Sequence, residues 1–367
     1  MEREREYDAV LYGATGFTGG LTAEYLAAHA GKTRWALAGR NRAKLEAVRE
    51  RLGSDVPLLH ADADDPASLE EMARSSRLVV SAVGPYLKYG EPLVEACAEN
   101  GTDYIDLTGE PAFVDLMYVR HHHRAVESGA RLVHACGFDS IPHDLGVLFT
   151  VQQLPEGVPL RVEGFVSASG SASGGTIASA KGVIFDPLTG LRAARARSRM
   201  ERMPEDRRAR ISRSPLPHTR LRGGFAVPLP TLDPQVVVRS ARALERYGPD
   251  FTYGHFLALT RAGRLGGDGG LGEMLRRQPG EGPSAEQRAR NWFRVRFHGE
   301  GGGRSVNTEV AGGDPGYTET AKMLAESALC LLHDDLPETA GQVTTAQAMG
   351  QALIDRLRRA GLTFRVL

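Results

Sequence analysis

A short apolar run, Asp8-Ala9-Val10-Leu11-Tyr12, passes straight into Gly13, Ala14, Thr15, Gly16, Phe17, Thr18 and Gly19. Glycines three apart at a strand-to-helix junction let the backbone turn tightly and press against a pyrophosphate. The open N–H groups and the dipole of a helix N-terminus then hold the anion. By itself the triplet suggests a nucleotide and no particular one. A second strand, Arg34 to Ala38, ends in Gly39-Arg40, where an acidic residue would bind a free ribose 2′-hydroxyl. An arginine there grips a 2′-phosphate instead, so the expected cofactor is NADP(H). The alternative is a surface arginine after an ordinary strand. Asn41 and Asp62, just past the second and third strands, complete the expected set on this side of the cofactor.

The first third of the chain alternates strand and helix. Helical stretches follow Val10–Tyr12, Trp35–Ala38 and Val56–Ala61, the last opened by Asp65 with Pro66 in the first turn. Leu78 to Val83 is a continuous apolar run, as in a strand covered on both faces, and Tyr104–Leu107 and Leu132–Ala135 add two more strands. Such alternation predicts a doubly wound parallel sheet, because right-handed crossovers place helices on both faces. Beyond about Leu145 the pattern changes. Leu160 to Val166 alternates as a half-exposed strand, and Val236–Val238 is a short β candidate. Phe293 to His298, a glycine turn at 299–303 and Arg304 to Val310 form a hairpin signature. Helices are expected over about 318–332 and 345–359, and a last strand over 362–366.

The expected architecture is therefore α/β: a Rossmann-type domain over 1–145, then a second α+β domain with a mostly antiparallel sheet over 146–335. Residues 336–367 are expected to return to the first domain. An arginine-dense stretch at 191–224 reads as a solvated insertion or as a basic surface for an acidic partner. The loop at 266–272 is glycine-rich with no strand before it, hence a connector.

Composition narrows the classes. Lysine plus arginine and aspartate plus glutamate each number 45 in 367 residues, so no global field exists to hold nucleic acid. No apolar run approaches the roughly 20 residues that span a bilayer. The charged start, Met1 to Glu6, lacks the apolar core of a secretory signal. Three well-separated cysteines, Cys97, Cys136 and Cys330, argue for a reducing cytoplasm and against disulfide or zinc frameworks. His121, His122 and His123 splay to different faces of a helix, and no metal site is expected from sequence.

Several further stretches carry a family resemblance. They are Val83-Gly84-Pro85-Tyr86 with Tyr89-Gly90-Glu91-Pro92, then Asp103 to Pro111, and Cys136-Gly137-Phe138-Asp139-Ser140-Ile141-Pro142. Ser173-Gly174-Gly175-Thr176 and Gly313-Asp314-Pro315-Gly316-Tyr317 complete the set. With the glycine turn and Arg40, the chain resembles the saccharopine-dehydrogenase-like oxidoreductases, and most closely the branch of trans-acting enoyl reductases of lipid and polyketide assembly. The resemblance implies an NADP-binding Rossmann domain, reductase activity and an acyl substrate, small or carrier-bound. A homodimer is among the expectations. An imine or amino-acid oxidoreductase of the saccharopine type, and a non-catalytic NADP(H)-binding, lipid-associated protein, are the alternatives.

In a doubly wound sheet the reacting ring lies beyond the carboxyl ends of the strands. Val83, Gly84 and Pro85 should therefore border the nicotinamide. Tyr86, with Tyr89 second, is a candidate to stack on the ring or donate a proton; the alternative for each is packing. Glu110 either caps a helix or faces the site. His143, in one loop with Asp139 and Ser140, is a candidate general acid or a structural histidine. Ser173 to Thr176 either holds an oxyanion or phosphate at a helix start or simply caps that helix.

Overall fold

In the first sheet, consecutive residues of each strand enter different cores. Leu11, Leu37, Leu78, Val80 and Ile105 pack into one buried cluster, and Val10, Tyr12, Ala36, Ala38, Val79 and Tyr104 into another. This follows from the two-residue period of a strand whose two faces are both covered by helices. The structure, a computed structural model, describes residues 5–169, 187–201, 204–212, 225–259 and 282–367.

The elements run β1 (Tyr7–Tyr12), α1 (Phe17–His29), β2 (Trp35–Gly39), α2 (Arg42–Leu52), β3 (Leu58–His60), α3 (Pro66–Ser75) and β4 (Ser76–Ser81). They continue with α4 (Tyr86–Tyr89), α5 (Glu91–Asn100), β5 (Asp103–Asp106), α6 (Pro111–Ser128) and β6 (Arg131–Val133). With β13 (Gly341–Val343), these strands form a seven-stranded sheet in the order β13-β6-β5-β4-β1-β2-β3. Every neighbouring pair is parallel. Local chemistry sets the helix ends. The Asn41 side chain accepts the Lys44 N–H to start α2, which buries Leu45 and Val48 and stops at Gly53. The chain passes to β4 on the far side of β1 after β3. The crevice between the carboxyl ends of β1 and β4 is thus the topological switch point.

From α7 (Ile141–Val151), buried along its whole length, the chain enters a second sheet. Its elements are β7 (Leu160–Ala168), α8 (Pro187–Met200), β8 (Arg208–Ile211), β9 (Phe225–Pro228), α9 (Asp233–Ala243) and β10 (Asp250–Leu259). Then come α10 (Ala285–Arg290), β11 (Phe293–Gly301), β12 (Arg304–Gly312), α11 (Thr318–His333), α12 (Thr345–Ala348), α13 (Gly350–Arg359) and β14 (Thr363–Val366). The order is β14-β12-β11-β7-β10-β8, with β9 on β10. Four pairings are antiparallel, while β10 runs parallel to β7 and β8.

The expected hairpin is present. Its turn is only Gly302-Gly303, both with positive φ (56° and 74°), as a two-residue connection between twisted strands requires. The residues after β12 divide between the two sheets: β13 extends the first, beside β6, and β14 extends the second, beside β12.

One expectation is corrected and one is refined. Val236–Val238 is helical, inside α9, where Asp233-Pro234 opens the helix and Val237, Val238 and Ala241 join the large core. In the first part of the arginine-dense stretch Arg192, Arg195 and Arg199 are exposed, and one arginine of the same helix is not. Arg197 of α8 is buried over the Tyr118 ring at 4.0 Å and bonds Gln342 at 2.6 Å and Glu201 at 3.0 Å. Residues 202–203 and 213–224 lie outside the described residues, as do 173–176 and 266–272.

Candidate functional site

The glycine turn sits at the switch point. Gly13 has a φ of +98°, and a Cβ there would meet Val83 Cγ2 at 2.6 Å. A Cβ on Gly19 would strike the Gly13 carbonyl oxygen at 2.2 Å, so both positions must be glycine for α1 to start this close to β1. Gly16 is the N-cap of α1, no side chain caps that end, and the first turn carries no acidic residue. An uncapped N-terminus with backbone exposed at a glycine turn is the arrangement that accepts a pyrophosphate. Arg40 is exposed at the end of β2 and has no ion-pair partner among the described residues, so its guanidinium is open to a 2′-phosphate. These residues fit NADP. Asn41 spends its side chain capping α2, and Asp62 is half-buried with Oδ1 accepting the Asp64 N–H. Val83 is half-buried, and Gly84 and Pro85, joined by a cis peptide, are exposed on the rim.

Sequence reasoning did not find the far wall of this crevice. The Phe17 ring meets Tyr317 edge-on at 4.9 Å, and the Arg288 guanidinium lies 5.3 Å from it. The second domain therefore touches the glycine turn directly. The sole sequence signal was Tyr317 in a family-like motif.

Behind the rim lies a buried polar network organised by two carboxylates. Asp106, at the end of β5, accepts the N–H groups of Thr108 (3.0 Å) and Ala135 (2.8 Å) on Oδ1 and pairs with His134 Nδ1 at 2.7 Å on Oδ2. These bonds hold Ala135 at a φ of +62°, which a residue with a Cβ rarely adopts. Glu110 takes the Tyr86 N–H on one oxygen (2.9 Å) and the Leu87 N–H on the other (2.8 Å). It thus caps the short helix α4 rather than α6, which it precedes in sequence.

Tyr86 belongs to this network. Its hydroxyl donates to the Ser81 carbonyl at 3.1 Å and accepts the Leu107 N–H at 3.2 Å, and its ring is buried against Phe113. Burial, with Asp106 nearby, pushes the phenol well above its usual pKa. A hydroxyl committed on both sides is tied to the fold, which favours the packing alternative for Tyr86. Tyr89, at the end of α4, is half-buried, and the Lys88 ammonium lies 4.6 Å from its ring centre.

His143 is 2% exposed and faces Asp233 and His255. Burial, and then His255, holds its pKa well below the usual value. Its burial favours the structural alternative for this histidine. Burial raises the nearby Asp139 to about 6. Cys97, Cys136 and Cys330 are buried and unbridged, with thiols pushed up by desolvation. His121 pairs with Glu91, His122 stacks on Tyr118 and accepts the Gln342 N–H, and His123 is exposed. No described helix is long and apolar enough to cross a membrane.

Residues 9–133 match the family model of the saccharopine dehydrogenase NADP binding domain. The chain is 37% identical to a trans-acting enoyl reductase of Mycobacterium ulcerans, over 98% of this chain and 97% of that one. It has the same identity and coverage with a trans-acting enoyl reductase of Mycobacterium bovis. Among solved structures, apo saccharopine dehydrogenase (L-Glu forming) of Saccharomyces cerevisiae shares the fold, with a TM-score of 0.57 at 12% identity over 98% of this chain and all of that one. The chain is an NADP-dependent oxidoreductase, and it belongs to the saccharopine-dehydrogenase-like family, in the branch of the trans-acting enoyl reductases.

Proposed function

We propose that the protein reduces the carbon–carbon double bond of an enoyl thioester, presented as a small or carrier-bound acyl group, in the cytoplasm. The observation that carries this is the 37% identity to trans-acting enoyl reductases along nearly the whole chain, so that the second domain is included. NADPH, when bound, supplies a hydride to the β-carbon. The chain's own part is to hold and orient. The turn at Gly13–Gly19 takes the pyrophosphate, Arg40 the 2′-phosphate, and Val83, Gly84 and Pro85 border the ring. Backbone donors hold the developing enolate oxygen. Tyr89 is the proton donor in this scheme. It follows the rim directly and stays half-exposed, whereas Tyr86 and His143 are buried.

The test is NADPH oxidation with trans-2-enoyl thioesters against 2-oxo acids plus amines. Turnover with the thioesters alone is expected, and turnover with the second pair alone overturns the assignment in favour of imine chemistry. Tyr89→Phe should lower kcat about 10²–10⁴-fold with NADPH affinity unchanged. A kcat within twofold of the unaltered enzyme removes Tyr89 from the role.

A further inference from the structure

Three side chains from three elements converge where α7 meets the second sheet: His143 in the first turn of α7, Asp233 at the start of α9 and His255 on β10. All are buried, at 2%, 3% and 5% exposure. His143 Nε2 lies 3.3 Å from Asp233 Oδ1, and His255 Nε2 lies 3.6 Å from Asp233 Oδ2. One ligand atom can be taken from each so that all three lie within 4.8 Å of one another.

What sets the cluster apart is that its polar atoms are unsatisfied. Asp233 Oδ1 and His255 Nε2, both on the inner side, are each buried with no hydrogen-bond partner among the described residues. Leaving a buried polar group so is costly, and two within one small volume call for a common partner.

The atoms pointing away from the centre, by contrast, are held. His255 Nδ1 pairs with the Tyr253 hydroxyl at 2.9 Å, and Thr231 donates its hydroxyl to Asp233 Oδ2. If Nδ1 carries the proton and donates to Tyr253, the tautomer leaves the Nε2 lone pair facing inward. Outer hydrogen bonds that fix an imidazole and a carboxylate in this way are what orient metal ligands. The Phe138 ring, edge-on to His143 at 5.5 Å, closes one side with apolar surface.

We propose that His143, Asp233 and His255 bind one divalent zinc-class ion. The donor set, two nitrogens and one carboxylate oxygen, suits zinc. Bonds of about 2.0–2.1 Å in a tetrahedron set ligand–ligand edges of about 3.3 Å, and the His143 Nε2–Asp233 Oδ1 separation is 3.3 Å. The ion clamps the start of α9 and strand β10 onto α7, tying the second sheet to the helix that leaves the first. Three protein ligands leave the fourth position for water or another small oxygen donor.

The test needs neither substrate nor NADPH, so its outcome is independent of the enoyl assignment. The full-length protein is stripped with chelator, then titrated with Zn²⁺ and, separately, with Co²⁺. One tightly bound equivalent of zinc, a raised melting temperature and the visible absorption bands of four-coordinate cobalt are expected. His255→Gln and Asp233→Asn should each weaken zinc binding by about 100-fold or more, beyond the loss seen when only outer-shell partners are removed. Absence of tight binding by the unaltered protein overturns the proposal. So does full zinc stoichiometry in both variants, which would put the ion elsewhere. Where a variant fails to fold by circular dichroism, the cobalt spectrum of the unaltered protein decides: an octahedral spectrum or none overturns the site.

Discussion

Two buried polar groupings, one at the carboxyl end of β5 in the first sheet and one where α7 meets the second sheet, are built on opposite plans. Around Asp106, Glu110 and Tyr86, both oxygens of each carboxylate and both sides of the phenol hydroxyl are spent on groups of the protein itself. Around His143, Asp233 and His255, Asp233 Oδ1 and His255 Nε2 have no hydrogen-bond partner among the described residues. Arg40 and the uncapped end of α1 follow the second plan at the surface. The contrast separates residues that shape the site from residues left open to something bound. Removing the first kind should cost stability, and removing the second kind should cost binding.

The largest effect is expected from Asp106→Ala. It removes three bonds at once and strands the Thr108 and Ala135 N–H groups in a buried site. Loss of one partner from such a network costs about 3–5 kcal/mol, read from the denaturant midpoint at constant slope. Unchanged stability would break the distinction at its strongest point. Arg40→Ala tests the open kind. Loss of a charge-assisted contact to phosphate should weaken NADPH about 10–100-fold, or about 1.4–2.7 kcal/mol. NADH affinity and folding stability should stay as they were. Equal loss for both nucleotides would remove the 2′-phosphate assignment.

These two plans were not equally visible in the amino-acid sequence. The parallel sheet was, because strands buried on both faces read as apolar runs and glycines mark the helix ends, as Gly53 and Gly101 do. The hairpin was visible too, since Phe293, Val295 and Phe297 alternate with polar residues and are all buried. Val236–Val238 misled because three β-branched residues suggest a strand, although Asp233-Pro234 just before them is a helix start. The glycine turn, Arg40 and the 83–85 rim are local in sequence and could be named from it. The fate of the Tyr86 hydroxyl depends on Leu107, and His143 meets partners 90 and 112 positions away. No spacing rule links such residues; only the packing of α7 against the second sheet does.

Glu110→Gln probes the closed plan more gently. The amide keeps one acceptor for α4 but turns an N–H₂ toward the other backbone donor. A loss of about 1.5 kcal/mol is expected, within the range for a charged group's hydrogen bond. Because α4 carries Tyr89, KM for the acyl substrate should rise while NADPH affinity holds. A loss of NADPH affinity equal to that of Arg40→Ala would instead mean that Glu110 faces the cofactor.

Tyr86→Phe is the smallest change and the one that most directly separates the two plans. It keeps the ring against Phe113 and deletes one oxygen. The Ser81 carbonyl and the Leu107 N–H then lose a partner, at a cost of about 1 kcal/mol. The proton-donor role expected from sequence predicts something different in kind: full stability and a kcat lowered about 10²–10⁴-fold. The hydrogen bonds on both sides of the hydroxyl favour the first outcome, with kcat within about twofold of the unaltered enzyme, because an atom that already closes the end of β4 onto the start of the 107–110 loop has no geometry left for substrate. Measuring stability and kcat on the same preparation decides between them, since the two roles move opposite readouts.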